Sequence, residues 1–300
     1  MTCAPIALFV YNRPAHTRQT VVSLQENNLA SESDLFVFSD APKSPEADLM
    51  VAQVREYVRS IDGFRTVTIF ERTENRGLAR SIVDGISQIT EERGRVIVLE
   101  DDLITSPHFL EYMNAGLERF KDDERVMQIA GYMFPVKLMV SEDALFLPFI
   151  SSWGWATWSR AWRHFDRRED VFDEVLADGA KRRQFDLNGR YKYSKILRAQ
   201  QQRKVDSWAI FWYLSVFRRN GLALFPKKTL VRNLGFDGSG VNCNVSKFDQ
   251  DELDLGYRVA VFPKIVDISP HADDVMNNIP AIRLSFAAVF NRLMGVLLRK

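Results

Sequence analysis

Three adjacent carboxylates, Glu100, Asp101 and Asp102, directly follow an apolar run at residues 96–99. Like charges this close raise one another's pKa and cost stability unless a cation or several hydrogen-bond donors lie among them. Mg²⁺ and Mn²⁺ prefer carboxylate oxygen, and one or two protein carboxylates often bind them together with phosphate oxygens of a ligand. The motif therefore predicts a divalent-cation site and a phosphate-bearing substrate. The alternative is a solvent-exposed acidic turn, because short acidic clusters are common in turns.

Other familiar catalytic patterns are missing from the sequence. The four histidines show no HExxH or other paired metal spacing. The chain has neither a GxxxxGK[ST] phosphate loop nor a GxSxG nucleophile elbow. A net charge of +1 gives no reason to expect a nucleic-acid partner. Cys3 and Cys243 are too few for a disulfide framework, and with no visible secretory signal we expect a cytoplasmic protein.

Strand-like and helix-like segments alternate through the first half of the chain. This rhythm predicts an α/β fold with a mostly parallel sheet flanked by helices. Ligands bind such sheets outside the carboxyl ends of the strands. Arg13, Asp40 and the three acids all follow predicted strands, so we expect them at one edge of the sheet. The predicted strands are residues 6–11, 34–40, 66–71 and 96–99, and the predicted helices are residues 18–27, 46–60, 78–93 and 107–120, with Ser106 as N-cap and Pro107 at the first helical position.

The composition changes from about residue 151. Four of the six tryptophans lie in SSWGWATWSRAWRHF, and a basic segment follows at residues 181–204. An apolar helix is predicted within residues 206–221, and residues 233–242 form a glycine-rich loop. Glycine at this density suits a loop that closes over a ligand and excludes water.

Several of these segments resemble a known family. VIVLEDDLITSPHFLEYM is similar to the metal motif and following helix of N-acetylglucosaminyltransferase I and its bacterial relatives, which are inverting glycosyltransferases of the GT-A fold. Further segments resemble that family in the same order, over roughly residues 5 to 245. These segments are ENRGLARSIVDGI, SSWGWATWSRAW, the D-S-W before the aromatic helix, and LVRNLGFDGSG.

The resemblance implies a set of donor-binding residues. Asp102 is expected to bind Mn²⁺ (or Mg²⁺), which bridges the two phosphates of a UDP-sugar. Glu100 and Asp101 are expected nearer the sugar and ribose, and Arg13 and Asp40 on the nucleotide. Asp40 also has the alternative of shaping a turn before Pro42. The remaining donor-binding candidates are Arg80, Trp155 and Gly238, and Ser81 replaces a histidine of the family.

The resemblance also implies that Asp206 is the general base. An inverting transfer needs a carboxylate that takes the proton of the acceptor hydroxyl as its oxygen attacks the anomeric carbon. The alternative is that Asp206 is the N-cap of the helix that begins there. Similarly, Trp153 and Trp155 are either sugar-stacking residues or part of the core.

These expectations combine into one hypothesis. Residues 1–150 form the nucleotide-sugar and metal-binding half, residues 151–278 form the acceptor-side and catalytic half with a flexible loop at 233–242, and residues 279–300 form an amphipathic helix. That helix either docks on the body or lies on the inner face of a membrane. The chain is expected to transfer a sugar from a nucleotide-sugar to a glycan or lipid-linked glycan in polysaccharide biosynthesis. The alternatives are a sugar nucleotidyltransferase and a non-catalytic nucleotide-sugar-binding protein.

Overall fold

The computed structural model describes residues 2–237 and 252–279. Residues 238–242 of the glycine-rich loop, including Gly238, lie outside the described residues. So does the C-terminal helix expected over 279–300, except Ile279. The strands are β1 Ile6–Val10, β2 Asp34–Ser39, β3 Thr66–Glu71, β4 Arg95–Glu100, β5 Leu103–Thr105, β6 Val126–Ala130, β7 Ala144–Leu147, β8 Trp155–Trp158, β9 Leu222–Pro226 and β10 Val231–Asn233.

Within the described residues, eight strands form one mixed sheet in the order β3-β2-β1-β4-β8-β6-β9-β7. Strands β3, β2, β1 and β4 run parallel, as do β6 and β9, whereas β8 is antiparallel to both its neighbours. The predicted fold class, a mostly parallel α/β sheet flanked by helices as in the GT-A fold, is confirmed. Strands β5 and β10 pair antiparallel in a separate two-stranded sheet.

Helices connect and cover these strands, and two of them begin two or more residues away from the predicted start. The first helix begins at Pro14, four residues before the predicted start, because proline has the φ angle that a first helical position needs. The fourth begins at Phe109 instead of Pro107, since the backbone N–H of Ser106 donates to Leu230 and keeps this segment beside β10. The helices are α1 Pro14–Gln25, α2 Pro45–Val58, α3 Leu78–Arg93, α4 Phe109–Arg119, α5 Ser159–Trp162, α6 Asp173–Leu176, α7 Gly179–Phe185, α8 Tyr193–Gln201, α9 Trp208–Arg218 and α10 Ala272–Asn277.

The central strands are buried and mostly apolar. Every residue of β1 and β2 is buried, as expected of parallel strands covered on both faces. Helix α3 packs closely on them, because a Cβ on Gly85 would stand only 2.8 Å from the Phe9 ring. Gly94 ends α3 in the left-handed conformation, with φ of 77°, as its position in the sequence predicts.

Strand β8 joins the two halves of the sequence in one sheet. It lies between β4 and β6, so strands from both sides of residue 150 share a continuous hydrophobic core. Its first residue, Trp155, packs against Trp208 and Trp212 of α9, and the Trp155 indole N–H has no hydrogen-bond partner among the described residues. Trp158 of β8 donates to the carbonyl of Leu117, and Trp212 of α9 donates to the side chain of Gln128. No helix within residues 2–237 and 252–279 is long and apolar enough to cross a bilayer.

An ion pair between the buried Asp34 and the exposed Arg65 lies at the start of β2 and makes a testable contribution to stability. Arg65 and Thr66 donate hydrogen bonds to Asp34, and those from Arg65 do most to hold its pKa below the ordinary value, against the opposing effect of burial. Because the folded-state pKa is lowered, this stabilisation is fully present above the unfolded-state pKa of about 3.9 and is lost as pH falls through the folded-state value.

We therefore expect Asp34→Asn to lower the free energy of unfolding at pH 7 by about 1–3 kcal/mol. Urea denaturation at pH 7 and at pH 2.5 measures this difference, which should shrink at the lower pH. Asp48→Asn, at an exposed position of α2, serves as the matched control. An equal loss at both pH values would contradict the assignment.

Candidate active site

The carboxyl ends of β1, β2 and β4 form one edge of the sheet. Phe9 lies opposite both Phe38 of β2 and Glu100 of β4, so the three strands end at the same level. The backbone N–H of Asp40 donates to the carbonyl of Val10, which continues this alignment past the strands. The edge, defined by Arg13, Asp40 and residues 100–102, is called the acidic rim below.

Arg13 is the cation that lies among the three acids. Its guanidinium donates a hydrogen bond to Asp101 and lies 3.0 Å from the carboxylate of Asp102. The backbone N–H of Tyr11 adds a second, longer contact of 3.4 Å to Asp101. Burial lowers the pKa of Arg13, but the two carboxylates outweigh burial and raise it above its ordinary value. The arginine is thus a permanently charged partner within the rim.

One arginine does not neutralise the whole cluster. Burial, followed by Asp102 and Asp101, raises the pKa of Glu100 to about 8, although Arg13 opposes the shift. Burial also raises the pKa of Asp101, despite its contact with Arg13. Burial and mutual repulsion therefore disfavour the ionised carboxyl groups, and a further cation beside them would favour their ionised forms.

Asp102 lies beneath the start of the glycine-rich loop. The backbone N–H of Leu234 donates to the carbonyl of Asp102 over 2.8 Å. Next to this bond, β5 pairs with β10, and Leu103 lies opposite Asn233. Gly235 packs so closely that a Cβ at this position would overlap the Asp102 carboxylate. The loop and the acidic rim are therefore fixed to each other through backbone contacts.

The acidic rim offers a divalent cation few protein ligands. In the part of the chain that the structure describes, no group of three or more His, Cys, Asp and Glu side chains is placed to hold a metal ion. A cation at Asp102 would then have few protein ligands and would need phosphate oxygens from a bound substrate. Mg²⁺ is commonly bound in this way, by one or two carboxylates together with substrate phosphates.

Asp40 is buried at the rim, and backbone N–H groups already engage its carboxylate. Ala41, Arg76 and Gly77 donate to it over 2.9, 2.9 and 2.8 Å. Asp40 therefore anchors the loop before α3, and the turn-shaping alternative describes what its side chain does here. Any nucleotide at this position would have to share a carboxylate with these donors.

Helix α3 presents one exposed and one buried candidate. Arg80 is exposed and stands 3.6 Å from Asp84, which also pairs with Arg76 at 2.8 Å. The ion-pair partner of Arg80 thus lies on its own helix and not in the acidic rim. Ser81 is buried, and its hydroxyl has no hydrogen-bond partner among the described residues.

Trp155 is a core residue, and the expectation that it stacks on a sugar is corrected by its burial. Its side chain is 0% exposed and stacks on Trp208, with 5.3 Å between ring centroids. Trp153 has the more accessible position: it is partly buried and meets Phe236 of the loop edge to face at 5.4 Å. Gly154 between them has φ of 58°, which explains why glycine separates the two tryptophans.

Asp206 is not the cap of α9. Ser207 is the N-cap residue, and its hydroxyl accepts from the backbone N–H of Ile210. The Asp206 side chain is 65% exposed and pairs with Arg167 over 3.1 Å. Asp206 thus remains accessible for another role.

Packing of α9 places its first turn, next to Asp206, toward the end of the sheet at which the acidic rim lies. Trp208, in the first turn of α9, stacks on Trp155. Trp155 begins β8 and pairs with Val98, near the carboxyl end of β4. The start of α9 therefore faces the end of the sheet at which the acids lie.

Two partners of the site residues had no signal in the sequence. Arg13 was expected on the nucleotide, but its pairing with Asp101 joins residues 88 positions apart and needed the strand order to be known. Arg167 lies in an exposed run of charged residues, and nothing local marks it as the partner of Asp206.

The close packing of Gly235 on Asp102 predicts a sharp effect of adding one methyl group. We expect Gly235→Ala to lower the free energy of unfolding by about 1–3 kcal/mol, because the new Cβ displaces the Asp102 carboxylate. Gly179→Ala is the control, since its Cβ would meet only Arg182, at 3.9 Å. Urea denaturation measures both, and equal stability of the two variants would show that the loop does not press on Asp102.

The chain was compared with known proteins. No curated protein matches it. Among solved structures it is similar to the mannosyltransferase PcManGT from Pyrobaculum calidifontis in complex with GDP-Man and Mn²⁺, at 12% identity over 72% of this chain and 70% of that chain, with a TM-score of 0.41. It is also similar to S. aureus TarS, at 15% identity over 49% of this chain and 25% of that chain, with a TM-score of 0.33. At such scores neither structure bears on the function of this chain.

A family match gives the stronger result. The family described as Glycosyl transferase family 2 matches residues 6–150, just under half of the chain. The matched residues include β1, β2, β4 and the whole acidic rim. The comparisons do not show the narrower resemblance to N-acetylglucosaminyltransferase I. Residues 6–150 therefore carry a domain similar to glycosyl transferase family 2.

Proposed function

We propose that this protein is a metal-dependent, inverting glycosyltransferase. It would move a sugar from a nucleotide-sugar, with a UDP-sugar as the expected donor, to a glycan or lipid-linked glycan acceptor. The observation that carries the proposal is the acidic rim, in which three adjacent carboxyl groups share one arginine, at the carboxyl edge of a domain similar to glycosyl transferase family 2. Carboxylates at this edge are well placed for a cation and a diphosphate.

The donor would bind across the rim. Asp102 would hold Mn²⁺ or Mg²⁺, and the cation would stabilise the diphosphate leaving group. Arg13, between Asp101 and Asp102, would add positive charge beside the phosphates and keep the two carboxylates in place. Glu100 would lie toward the sugar. Asp40 would support the nucleotide mainly by holding the Arg76–Gly77 backbone in position.

Asp206 would act on the acceptor. Its exposed carboxylate would take the proton of the acceptor hydroxyl, while that oxygen forms a bond to the anomeric carbon and the bond from that carbon to the diphosphate breaks. Arg167 would orient Asp206 through the 3.1 Å contact. In this scheme residues 1–150 serve the donor and residues 151–278 serve the acceptor. Arg80 and Gly238 remain donor-site candidates, the latter outside the described residues.

Two alternatives make different predictions. A sugar nucleotidyltransferase would need a glycine-rich, basic loop after the first strand, but here α1 begins at Pro14 within four residues of β1. A non-catalytic nucleotide-sugar-binding protein would bind the donor with metal and would tolerate the loss of Asp206. The experiments below separate donor binding from catalysis for this reason.

Donor binding is tested by thermal shift. UDP, GDP and CMP, and their sugars, are screened with and without Mn²⁺, and one diphosphate, expected to be UDP, should raise the melting temperature by about 5 °C at a hundredfold excess over Kd. The shift should require Mn²⁺ and disappear in Asp102→Asn, but persist in Asp48→Asn. No shift with any nucleotide would overturn the proposed function.

Catalysis is tested with the donor so identified. Asp206→Asn should lower kcat by about 10²–10⁴-fold while the nucleotide-dependent thermal shift is unchanged, because a general base acts on the proton transfer alone. Asp170→Asn, at another exposed position after Arg167 and Arg168, is the control and should keep wild-type kcat. Full activity of Asp206→Asn would show that Asp206 is not the general base.

A further inference from the structure

A cavity of about 810 Å³ lies at the other end of the sheet from the acidic rim. Its wall includes the segment after α5 and the last turn of α9. Helix α5 follows Trp158, which pairs with Arg95 at the start of β4, whereas the acids lie at the end of β4. The six-residue strand separates the two places by roughly 17 Å, so this cavity is distinct from the candidate donor site.

Basic side chains dominate the wall of this cavity. Asp166 and Glu174 are its two carboxylates, against five Lys and Arg side chains. These cations come from three separate parts of the chain, so no single helix end accounts for them. They are Arg163 and Arg168 after α5, Lys181 on α7, and Arg218 and Arg219 at the end of α9.

Both wall carboxylates are already engaged. Glu174 accepts two hydrogen bonds from Arg218, over 3.0 and 2.9 Å. Asp166 accepts from Arg168 over 2.9 Å and lies 3.5 Å from Arg218. The other three cations of the wall have no carboxylate there to balance them. They are Arg163, Lys181 and Arg219.

Contacts outside the wall do not balance these charges either. Arg163 lies 3.5 Å from Glu124, whose side chain is 81% exposed, and such surface pairs are weak. Lys181 and Arg219 lie in no salt bridge within residues 2–237 and 252–279, although Asp178, the N-cap of α7, interacts electrostatically with Lys181. Burial, and then Arg219 and Arg163, lower the pKa of His164, which also lines the cavity. The cavity is therefore a concave region with an excess of positive charge.

We infer that this cavity binds a phosphate-bearing small molecule through Arg163, Lys181 and Arg219. Guanidinium groups match phosphate oxygens in bidentate geometry, and a lysine adds a compact positive charge. The volume lies within the range of about 300–1,000 Å³ typical of small-molecule sites. A concave site of this kind suits a free phosphate compound better than the head groups of a flat membrane. The inference does not depend on the proposed function.

Inorganic pyrophosphate is the probe, and isothermal titration calorimetry is the measurement. EDTA is included so that metal-bridged binding at Asp102 does not contribute. We expect binding by the wild type and about tenfold weaker binding by Lys181→Ala and by Arg219→Ala, because each loses a charge-assisted contact. Arg183→Ala is the matched control, since Arg183 is exposed on the same helix as Lys181 but is not part of the wall. It should bind within about twofold of the wild type.

Two outcomes would overturn the inference. Equal affinity of all four proteins would place pyrophosphate elsewhere or show only nonspecific charge attraction. Flotation with vesicles of phosphatidylcholine and phosphatidylglycerol, lost in Lys181→Ala and without any pyrophosphate binding, would show that the charges serve a lipid surface. Circular dichroism of each variant confirms that affinity changes do not come from unfolding.

Discussion

Repulsion among three carboxylates at the end of β4 is the constraint on which the rest of the site depends. Arg13 offsets part of this repulsion by contacting Asp101 and Asp102. It can do so because β1 and β4 are parallel neighbours that end at the same level. Pro14 then starts α1 directly after this arginine, which fixes the backbone that carries it. We propose that a cation and a diphosphate bind at the rim, because a cation beside these carboxyl groups would favour their ionised forms.

Apolar packing also places residues of the second half of the chain toward this rim. Strand β8 enters the sheet antiparallel beside β4, and its first residue, Trp155, stacks on Trp208 of α9. This contact sets where α9 begins and therefore where Asp206 emerges. The antiparallel pairing of β5 with β10 places the start of the glycine-rich loop beside Asp102, where the backbone N–H of Leu234 donates to the carbonyl of Asp102. Buried tryptophans and one short two-stranded sheet thus position groups that are far apart in sequence.

The sequence predicted what local pattern controls and missed what tertiary packing decides. Apolar runs and Gly94 identified the parallel strands and the end of α3, because burial and a left-handed φ demand particular residue types. Trp155 was ambiguous, since the same side chain suits a core and a sugar-stacking surface. The alternative that Asp206 caps α9 was wrong by one residue, because Ser207, also a good capping residue type, is the N-cap. The contact of Arg13 with Asp101 required the strand order.

The most direct measurement of the central claim is the identity of the nucleotide product when the protein is incubated with its nucleotide-sugar and Mn²⁺. A glycosyltransferase breaks the bond between the anomeric carbon and the diphosphate. We therefore expect release of the nucleoside diphosphate, by transfer or by slow hydrolysis. This release should be lost in Arg13→Met. Release of a nucleoside triphosphate when pyrophosphate is added would instead indicate a nucleotidyltransferase. That result would contradict the assignment of the acidic rim to sugar transfer.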